Sequence, residues 1–197
     1  MTDPVPLYLA SRSPRRAELL EQIGIPHRPV ESSVDETPRA GEAPASYVER
    51  LARDKAAAGA ATVGLPDRKG ALVLGADTAI EQDGSILGKP GGPGDARRYL
   101  QSLSGREHEV LSAVAVTDGR RTESRLNRTR VRVRPLEAAE IEAYIETGEP
   151  MDKAGAYAIQ GRGAVFVEEI TGSYSAVMGL PLCETDQLLR GFGAGTL

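Results

Sequence analysis

The sequence predicts a mixed fold, α/β or α+β, in which helices pack on a central mixed sheet. Strand-like and helix-like segments alternate early in the chain and later mix without strict alternation. Leu72–Ala76 is a continuous apolar run, typical of a strand buried on both faces. Tyr47–Ala61 has the composition and apolar spacing of a strong helix. Together these observations favour strands that are covered by helices.

The chain begins with a predicted strand followed by a predicted helix. Val5–Leu9 has the length and apolarity of a short buried strand. Ser13 is a favourable N-cap residue, and Pro14 fits the first helical position. Gly24 then ends the run of apolar residues at helical spacing. The junction between strand and helix is therefore short and polar.

The remaining elements follow from periodicity and from turn residues. In chain order we predict a strand His27–Val30, a polar loop Glu31–Glu42, the helix Tyr47–Ala61, the strand Leu72–Ala76, a hairpin Ala79–Gly88 turning at Asp83-Gly84, a loop Gly91–Gly94, a helix capped by Asp95 and running through Leu103, a hairpin of Val110–Thr117 and Thr122–Val133 around Asp118-Gly119, a helix Ala138–Thr147 closed by Gly148, a strand Val165–Ile170 and a last helix Leu182–Arg190.

Composition sets the broad class of the protein. A chain of 197 residues fits one domain, or one domain with two lobes. Neither a signal peptide nor a transmembrane run is indicated, and a single cysteine, Cys183, fits a reducing cytoplasm. The net charge of −4 argues against general binding to nucleic acid. We therefore expect a cytoplasmic globular protein without a membrane or nucleic-acid partner.

The junction before the first predicted helix is a candidate anion site. Arg15 and Arg16 lie in the first helical turn, where their charges oppose the positive end of the helix dipole. Free backbone N–H groups, two guanidinium groups and the hydroxyls of Ser11 and Ser13 converge there, and the simplest matching anion is a phosphate. The alternative is a pair of solvated arginines on a surface helix.

Acidic residues form a second candidate site. Asp77 follows the buried run Leu72–Ala76, so we expect it at the carboxyl end of a strand, where open sheets bind ligands. A carboxylate there can bind a divalent cation or orient a water molecule, or it can simply form a turn with Thr78. Asp35 and Glu36, in the polar loop, would complete an oxygen-rich site for Mg²⁺ or Mn²⁺.

Three further polar residues occur at informative positions. Lys55 lies on the apolar face of its helix, so it either meets an anion or extends its ammonium group to solvent. Lys89 is in a glycine-rich loop that differs from a P-loop but is able to reach a phosphate. Gln160, before Gly161, has an amide that can recognise a base edge, or it is a polar turn residue.

Several other chemistries are not indicated. His27 and His108 are far apart, and no cysteine pair accompanies them, so a zinc motif is absent from the sequence. The segment Gly172–Ala176 does not match a nucleophile elbow. Four arginines lie on one face of a predicted strand: Arg128, Arg130, Arg132 and Arg134. They indicate either a surface that binds nucleic acid or the solvent face of an antiparallel strand.

Taken together, short motifs in one order along nearly the whole chain resemble the Maf family, the septum-formation proteins that act as nucleoside triphosphate pyrophosphatases. The matching segments are Leu9-Ala10-Ser11-x-Ser13-Pro14-Arg15-Arg16-x-Glu18-Leu19-Leu20, Val34-Asp35-Glu36, Leu51-Ala52-x-x-Lys55-Ala56, Gly75-Ala76-Asp77-Thr78, Gly88-Lys89-Pro90, Asp152–Gly161 and Val177–Leu182.

The resemblance implies a single α/β domain over residues 1–197, with two lobes flanking a cleft. It implies metal-dependent hydrolysis between the α and β phosphates, a homodimer, and roles in nucleotide-pool sanitation and cell-division arrest. By motif, five residues would hold the triphosphate: Ser11, Ser13, Arg16, Lys55 and Lys89. Asp77, with Asp35 or Glu36, would bind the metal, and Asp77 is the family's proton acceptor.

Three positions separate the subgroups of the family. The group that acts on dTTP and UTP has Arg, Thr and Gln where this chain has Arg15, Thr78 and Gln160, whereas the 7-methyl-GTP group has Trp, Gln and Glu. The resemblance thus implies dTTP and UTP as substrates, with modified uridine triphosphates or CTP as extensions. The alternatives are the 7-methyl-GTP subtype and a non-catalytic, nucleotide-binding regulator of septum formation.

Overall fold

The computed structural model describes residues 5–65 and 70–195. In these residues it has seven strands and six α-helices, and none of the helices is long and apolar enough to cross a membrane. The strands are β1 (Leu7–Ala10), β2 (His27–Pro29), β3 (Leu72–Gln82), β4 (Ser85–Leu87), β5 (Glu107–Thr117), β6 (Thr122–Val133) and β7 (Val167–Thr171). The helices are α1 (Pro14–Gln22), α2 (Pro44–Val63), α3 (Pro93–Leu103), α4 (Ala138–Glu146), α5 (Tyr174–Met178) and α6 (Leu182–Gly191).

All the described strands belong to one mixed sheet. Its order is β2-β1-β3-β5-β6-β7, and β4 pairs with β3 at the side. β1 runs parallel to β2 and to β3, and its pairing with β3 ends at Ala10 opposite Gly75. β4 is antiparallel to β3, and β7 is antiparallel to β6. The predicted mixed α/β sheet is therefore confirmed.

The chain divides into two compact units, each with its own core. Unit 1 comprises Met1–Asp77, Ser112–Asn127 and Gly179–Leu197, and unit 2 comprises Thr78–Leu111 and Arg128–Met178. In unit 1, α2 packs on β1 and β3 through small side chains such as Ala60. The unit 2 core contains buried side chains from α3, α4, β5 and β6 and from the segment before β7.

Most predicted elements are present, with shifted ends. The turn at Asp83-Gly84 is confirmed, and both residues have positive φ. The predicted cap of α3 is wrong: Gly92 is the N-cap residue, and Asp95 lies in the first turn, accepting the Gly91 N–H at 2.9 Å. The predicted strand Val165–Ile170 begins late because residues 162–166 form a 3₁₀-helix. α5 was not predicted.

The prediction that Asp77 ends a strand is also wrong. β3 continues through Asp77 to Gln82, so two predicted strands are one element, and Asp77 forms no turn with Thr78. Asp77 lies two residues beyond the last β1 partner, Gly75. A buried carboxylate is tolerated inside the strand because Lys55, from α2, pairs with it.

The arginine face of β6 and its extension is bound to acidic side chains. Arg128 pairs with Glu109 at 3.1 Å, and Arg130 pairs with Glu107 at 3.6 Å. Arg134, just after the strand, pairs with Glu140 at 2.6 Å. The alternating residues between these arginines, such as Val131, are buried. This pattern fits the solvent face of an antiparallel strand.

The buried His108 of β5 is expected to make stability depend on pH. Its Nε2 is 2.9 Å from the Tyr157 hydroxyl, and burial lowers the pKa of His108 to about 4. An unfolded histidine has a pKa near 6.5, so the unfolded chain takes up this proton first. Neutral, buried His108 therefore contributes fully to the free energy of unfolding above about pH 6.5. This free energy falls by about 3 kcal/mol as the pH drops from 6.5 through 4. Denaturant unfolding of the wild type between pH 7 and 4 measures it.

The matched variant for this prediction is His108→Gln, which keeps a hydrogen-bonding group beside Tyr157 but does not titrate in this range. Carboxylates titrate in both proteins, so the difference between the two pH profiles isolates the histidine. We expect the wild type to lose more unfolding free energy than the variant between pH 6.5 and 4. Parallel profiles would show that His108 is not neutral and buried in the folded protein.

Candidate functional site

Ser11, Ser13 and Arg16 form a hydrogen-bonded group at the start of α1, named here the α1 cluster. The Ser11 hydroxyl oxygen accepts the Ser13 N–H at 3.2 Å and the Arg16 Nη1–H at 3.0 Å. Arg16 Nε also donates to the Gly179 carbonyl at 2.8 Å. Ser13 is the N-cap residue, as predicted, although its side chain makes no capping hydrogen bond to the described helix. The guanidinium group is thus fixed from two sides beside the helix start.

The electrostatics of the α1 cluster favour an added anion. Burial lowers the pKa of Arg16, the charge of Asp77 opposes that change, and the neighbouring Arg15 reinforces it. A partly buried guanidinium group beside another cation is stabilised by an anion that binds next to it. The exposed N-terminus of a helix supplies a partial positive charge at the same place. The arrangement is suited to an oxyanion such as phosphate.

A close approach of α2 to β3 builds the second part of the site. Gly75 lies under α2, and a Cβ atom there would be 2.5 Å from the backbone nitrogen of Ala56 and would also collide with the Ala52 carbonyl. Lys55, between these residues, is on the buried face of the helix, as its spacing predicts. Asp77 is two residues beyond Gly75 and projects from the same face of the strand. The glycine therefore brings Lys55 to Asp77.

Lys55 lies between two carboxylates, and we name Glu36, Lys55 and Asp77 the carboxylate–lysine cluster. Lys55 Nζ is 2.7 Å from Asp77 Oδ1 and 2.8 Å from Glu36 Oε1. The side chains of Lys55 and Asp77 are each 11% exposed, whereas that of Glu36 is 59% exposed. Lys55 thus meets anions instead of extending to solvent, and the cluster has a buried end and an open end.

Burial raises the pKa of Asp77, while the positive charges of Lys55 and Arg16 lower it and only partly offset the burial. A carboxylate with a raised pKa is a stronger proton acceptor than an ordinary aspartate. The neighbouring cations stabilise its ionised form. Asp77 therefore has the environment of a general base that is paired with Lys55 and influenced by the charge of Arg16.

The loop that carries Asp35 and Glu36 is held by Tyr47. The Tyr47 hydroxyl donates to the Glu36 carbonyl at 2.9 Å, and burial, with the charges of Asp77 and Glu36, raises the Tyr47 pKa to about 12. Asp35 instead pairs with Thr37: hydrogen bonds from the Thr37 side chain and from its backbone N–H, at 2.9 Å, lower the pKa of Asp35. Of the two adjacent acids, the structure thus brings Glu36 to Lys55.

Three residues of this site were not predicted from the sequence: Tyr47, Gly75 and Gly179. A signal for Tyr47 exists, because Tyr47, Leu51 and Lys55 are spaced by four residues and the helical period places Tyr47 on the Lys55 face. Gly75 and Gly179 lie in motifs that the sequence analysis identified, but neither received a role. The contact of Gly179 with Arg16 joins positions 163 residues apart, and local pattern carries no signal for it.

The carboxylates Asp77 and Glu36 offer only part of a metal site. The part of the chain that the structure describes contains no group of three or more His, Cys, Asp or Glu side chains that could hold an ion. Asp77 and Glu36 nevertheless converge on one cation, the Lys55 ammonium group. Mg²⁺ in nucleotide enzymes is commonly bound through one or two carboxylates together with substrate phosphates. The pair fits that mode, in which the nucleotide supplies further ligands.

Unit 2 carries the other predicted site residues. Thr78 follows Asp77 in β3, Lys89 is exposed in the loop after β4, and Gln160 is exposed in a turn. The Gly155 N–H donates to the Gly88 carbonyl at 3.0 Å, which ties the Lys89 loop to the segment leading to Gln160. Both polar side chains are therefore presented by neighbouring loops of the same unit.

Comparison with known proteins adds independent information. The model of the Maf family, described as Maf-like protein, matches residues 6–192. A protein of Aromatoleum aromaticum named dTTP/UTP pyrophosphatase is 55% identical, over 95% of each chain. Proteins with the same name from Chromobacterium violaceum and Pseudoalteromonas atlantica are 50% and 54% identical, over 98% and 93% of this chain and 97% and 95% of their own. The resemblance noted in the motifs thus extends along almost the full length.

Proposed function

The chain belongs to the Maf family, and from this premise we propose that it hydrolyses dTTP and UTP between the α and β phosphates. The products are the nucleoside monophosphate and pyrophosphate. The observation that carries the proposal is a buried Asp77 held by Lys55, with the cationic α1 cluster electrostatically coupled to it. The shared name of relatives that are 50–55% identical supports the same substrates.

The triphosphate would be held by cations and hydroxyl groups. Ser11, Ser13 and Arg16 offer hydrogen-bond donors at a helix N-terminus, where phosphate oxygens are favoured. Lys55 and Lys89 would supply further positive charge. Phosphoryl chemistry depends on positioning and on neutralisation of charge more than on covalent catalysis, so such groups account for much of the expected rate enhancement.

Asp77 would orient and deprotonate the attacking water. Its burial raises its pKa, which makes it a better proton acceptor, while Lys55 and Arg16 keep it ionised. Asp77 and Glu36 would also hold Mg²⁺ or Mn²⁺ with the substrate phosphates, and such an ion, when bound, neutralises phosphate charge and acidifies water. Glu36, rather than Asp35, is the second carboxylate of this proposal because only Glu36 shares Lys55 with Asp77.

Base recognition would depend on Arg15, Thr78 and Gln160. The Gln160 amide can accept the N3–H of uracil or thymine and donate to its O4, because an amide carries both kinds of group. We predict that Gln160→Glu lowers kcat/KM for dTTP about tenfold, since a carboxylate cannot donate to O4. Steady-state kinetics with dTTP and UTP measure this change.

The matched control is Gln101→Glu, which introduces the same charge at an exposed position of α3 in the same unit. We expect Gln101→Glu to keep the wild-type kcat/KM for dTTP and UTP. If Gln160→Glu kept these values too, Gln160 would have no part in base recognition and the choice of subgroup would lose its main support.

A product assay tests the proposed function as a whole. Purified protein is given dTTP, UTP, CTP, dATP, GTP, ITP or 7-methyl-GTP, with Mg²⁺ or Mn²⁺, and the products are separated. We expect monophosphate and pyrophosphate from dTTP and UTP. Release of inorganic phosphate, or preferred turnover of 7-methyl-GTP, would contradict the proposal. Binding of nucleotides without turnover would support a regulator instead.

A further inference from the structure

The turn that carries Gln160 needs a fixed conformation if its side chain is to recognise a base. Gln160 is exposed, and residues 158–163, named here the Gln160 loop, form a turn followed by the start of a 3₁₀-helix. Within the loop, the Gly161 N–H donates to the Ala158 carbonyl at 3.2 Å. Ala158 and Ile159 are buried on one side of the loop, whereas Gln160 and Arg162 are exposed. The exposed part gains little from apolar burial, so its order depends on polar contacts of the backbone.

One carboxylate supplies these contacts. Glu149 Oε2 accepts the Arg162 N–H at 3.0 Å, and Glu149 Oε1 accepts the Gly163 N–H at 3.1 Å. The Tyr144 hydroxyl donates to the same Oε1 at 2.8 Å and accepts the Ala158 N–H at 3.1 Å. Backbone groups on both sides of Gln160 are therefore tied to Glu149, either directly or through Tyr144.

The glycines of the loop fit closely around these two side chains. A Cβ atom at Gly161 would lie 2.5–2.6 Å from the carboxylate atoms of Glu149. A Cβ atom at Gly163 would lie 2.8 Å from the Tyr144 hydroxyl oxygen. A side chain at Gly161 would therefore displace the Glu149 carboxylate from the loop, and one at Gly163 would displace the Tyr144 hydroxyl.

Glu149 is ionised in this arrangement. Burial alone would raise its pKa, but the N–H groups of Arg162 and Gly163, the Tyr144 hydroxyl and the charge of Lys153 lower it overall. Tyr144 is itself fixed, because its ring packs edge-on against Phe166 with centroids 5.0 Å apart. The loop is anchored to a charged acceptor whose hydrogen bonds are stronger than those of a neutral group.

We propose that Glu149 is a positioning residue for base recognition: it holds the Gln160 loop so that the Gln160 amide meets the pyrimidine edge in one orientation. This inference rests on the proposed function and adds a residue that does not touch the substrate. Glu149 and Tyr144 act by reducing the conformations that Gln160 explores before the nucleotide binds.

The test compares the wild type with Glu149→Gln and with Tyr144→Phe in the product assay. Glutamine keeps one acceptor oxygen but turns an NH₂ group toward the loop N–H groups, so at least one hydrogen bond is lost. We expect Glu149→Gln to raise KM for dTTP and UTP about tenfold with little change in kcat. The preference for dTTP over dATP should fall by a similar factor, and Tyr144→Phe should cause a smaller change in the same direction.

Glu146→Gln is the matched control, because it makes the same chemical change three residues earlier, at an exposed position of α4. It should leave KM and the base preference unchanged. Thermal unfolding shows whether each variant is folded. If Glu149→Gln does not fold, Tyr144→Phe carries the test, because it removes the hydrogen bonds of the hydroxyl to Glu149 and Ala158 but leaves those of Glu149 to Arg162 and Gly163.

A second set of variants tests whether Glu149 acts through Gln160. In a Gln160→Ala background, Glu149→Gln should cause no further loss of base preference, because coupled residues are not additive. Additive losses would overturn the proposal. So would a fall in kcat for every nucleotide with an unchanged preference, which is the signature of a merely structural role. If Gln160→Ala alone leaves the preference of an active enzyme unchanged, Gln160 has no role for Glu149 to support. If the wild type does not hydrolyse dTTP at all, the proposed function fails first.

Discussion

Replacing Asp77 by Asn is expected to lower kcat for dTTP by at least about 1,000-fold, because the carboxylate is the proposed proton acceptor and a ligand of the metal. Asn has almost the same shape and no negative charge. Lys55 keeps Glu36 as an ionic partner at 2.8 Å, so the variant retains a compensating charge beside its buried lysine. We therefore expect normal folding and a thermal unfolding midpoint close to that of the wild type.

The split between binding and turnover makes the Asp77 prediction specific. The α1 cluster does not depend on Asp77 for its hydrogen bonds, so nucleotide binding should persist when turnover is lost. Asp54→Asn is the matched control: it removes a half-exposed carboxylate from α2, next to Lys55 in sequence, and should retain full activity. Near-normal turnover by the Asp77 variant would show that another group activates the water.

The first β–α junction illustrates what local sequence predicts well. Proline at the first helical position, serine before it and two arginines after it act over a few residues, so the helix start and the cationic turn follow from local rules. The inward placement of Lys55 is similarly local, because the helical period assigns it to the apolar face. These predictions hold because no distant partner decides them.

The errors lie where a distant partner decides the structure. Asp77 interrupts an apolar run, and a polar residue there looks like a strand end. It remains inside β3 because Lys55, 22 residues earlier, supplies the compensating charge. The choice between Asp35 and Glu36 likewise depends on Lys55 and Tyr47, which a pattern within the loop does not contain.

Gly75 is an example of a residue whose role only the packing reveals. Its backbone is extended, so alanine at this position brings no dihedral strain, and a strand pattern alone would favour the larger residue. The constraint comes from the backbone of α2, which lies too close for a Cβ atom. Backbone atoms cannot change rotamer, so the added methyl group has to displace the helix itself.

Gly75→Ala is therefore expected to lower kcat/KM for dTTP about 100-fold and to cost about 1–3 kcal/mol of unfolding free energy. Moving α2 away from β3 separates Lys55 from Asp77, which are 2.7 Å apart in the wild type. Activity should be measured at a temperature at which circular dichroism shows the variant to be folded, so that lost turnover is not lost protein.

Gly94→Ala is the matched control for Gly75→Ala, because a Cβ atom there meets no described atom within 4 Å and the residue lies in the first turn of α3. The same methyl group should leave activity unchanged and stabilise the chain by up to about 1 kcal/mol through the unfolded state. A Gly75 variant with full activity and normal stability would show that α2 tolerates displacement and that Lys55 reaches Asp77 by flexibility of its own side chain. A variant that is less stable, and that has lost turnover even at a temperature at which it is fully folded, would place the loss of activity on the geometry of the Lys55–Asp77 pair, as the close packing predicts.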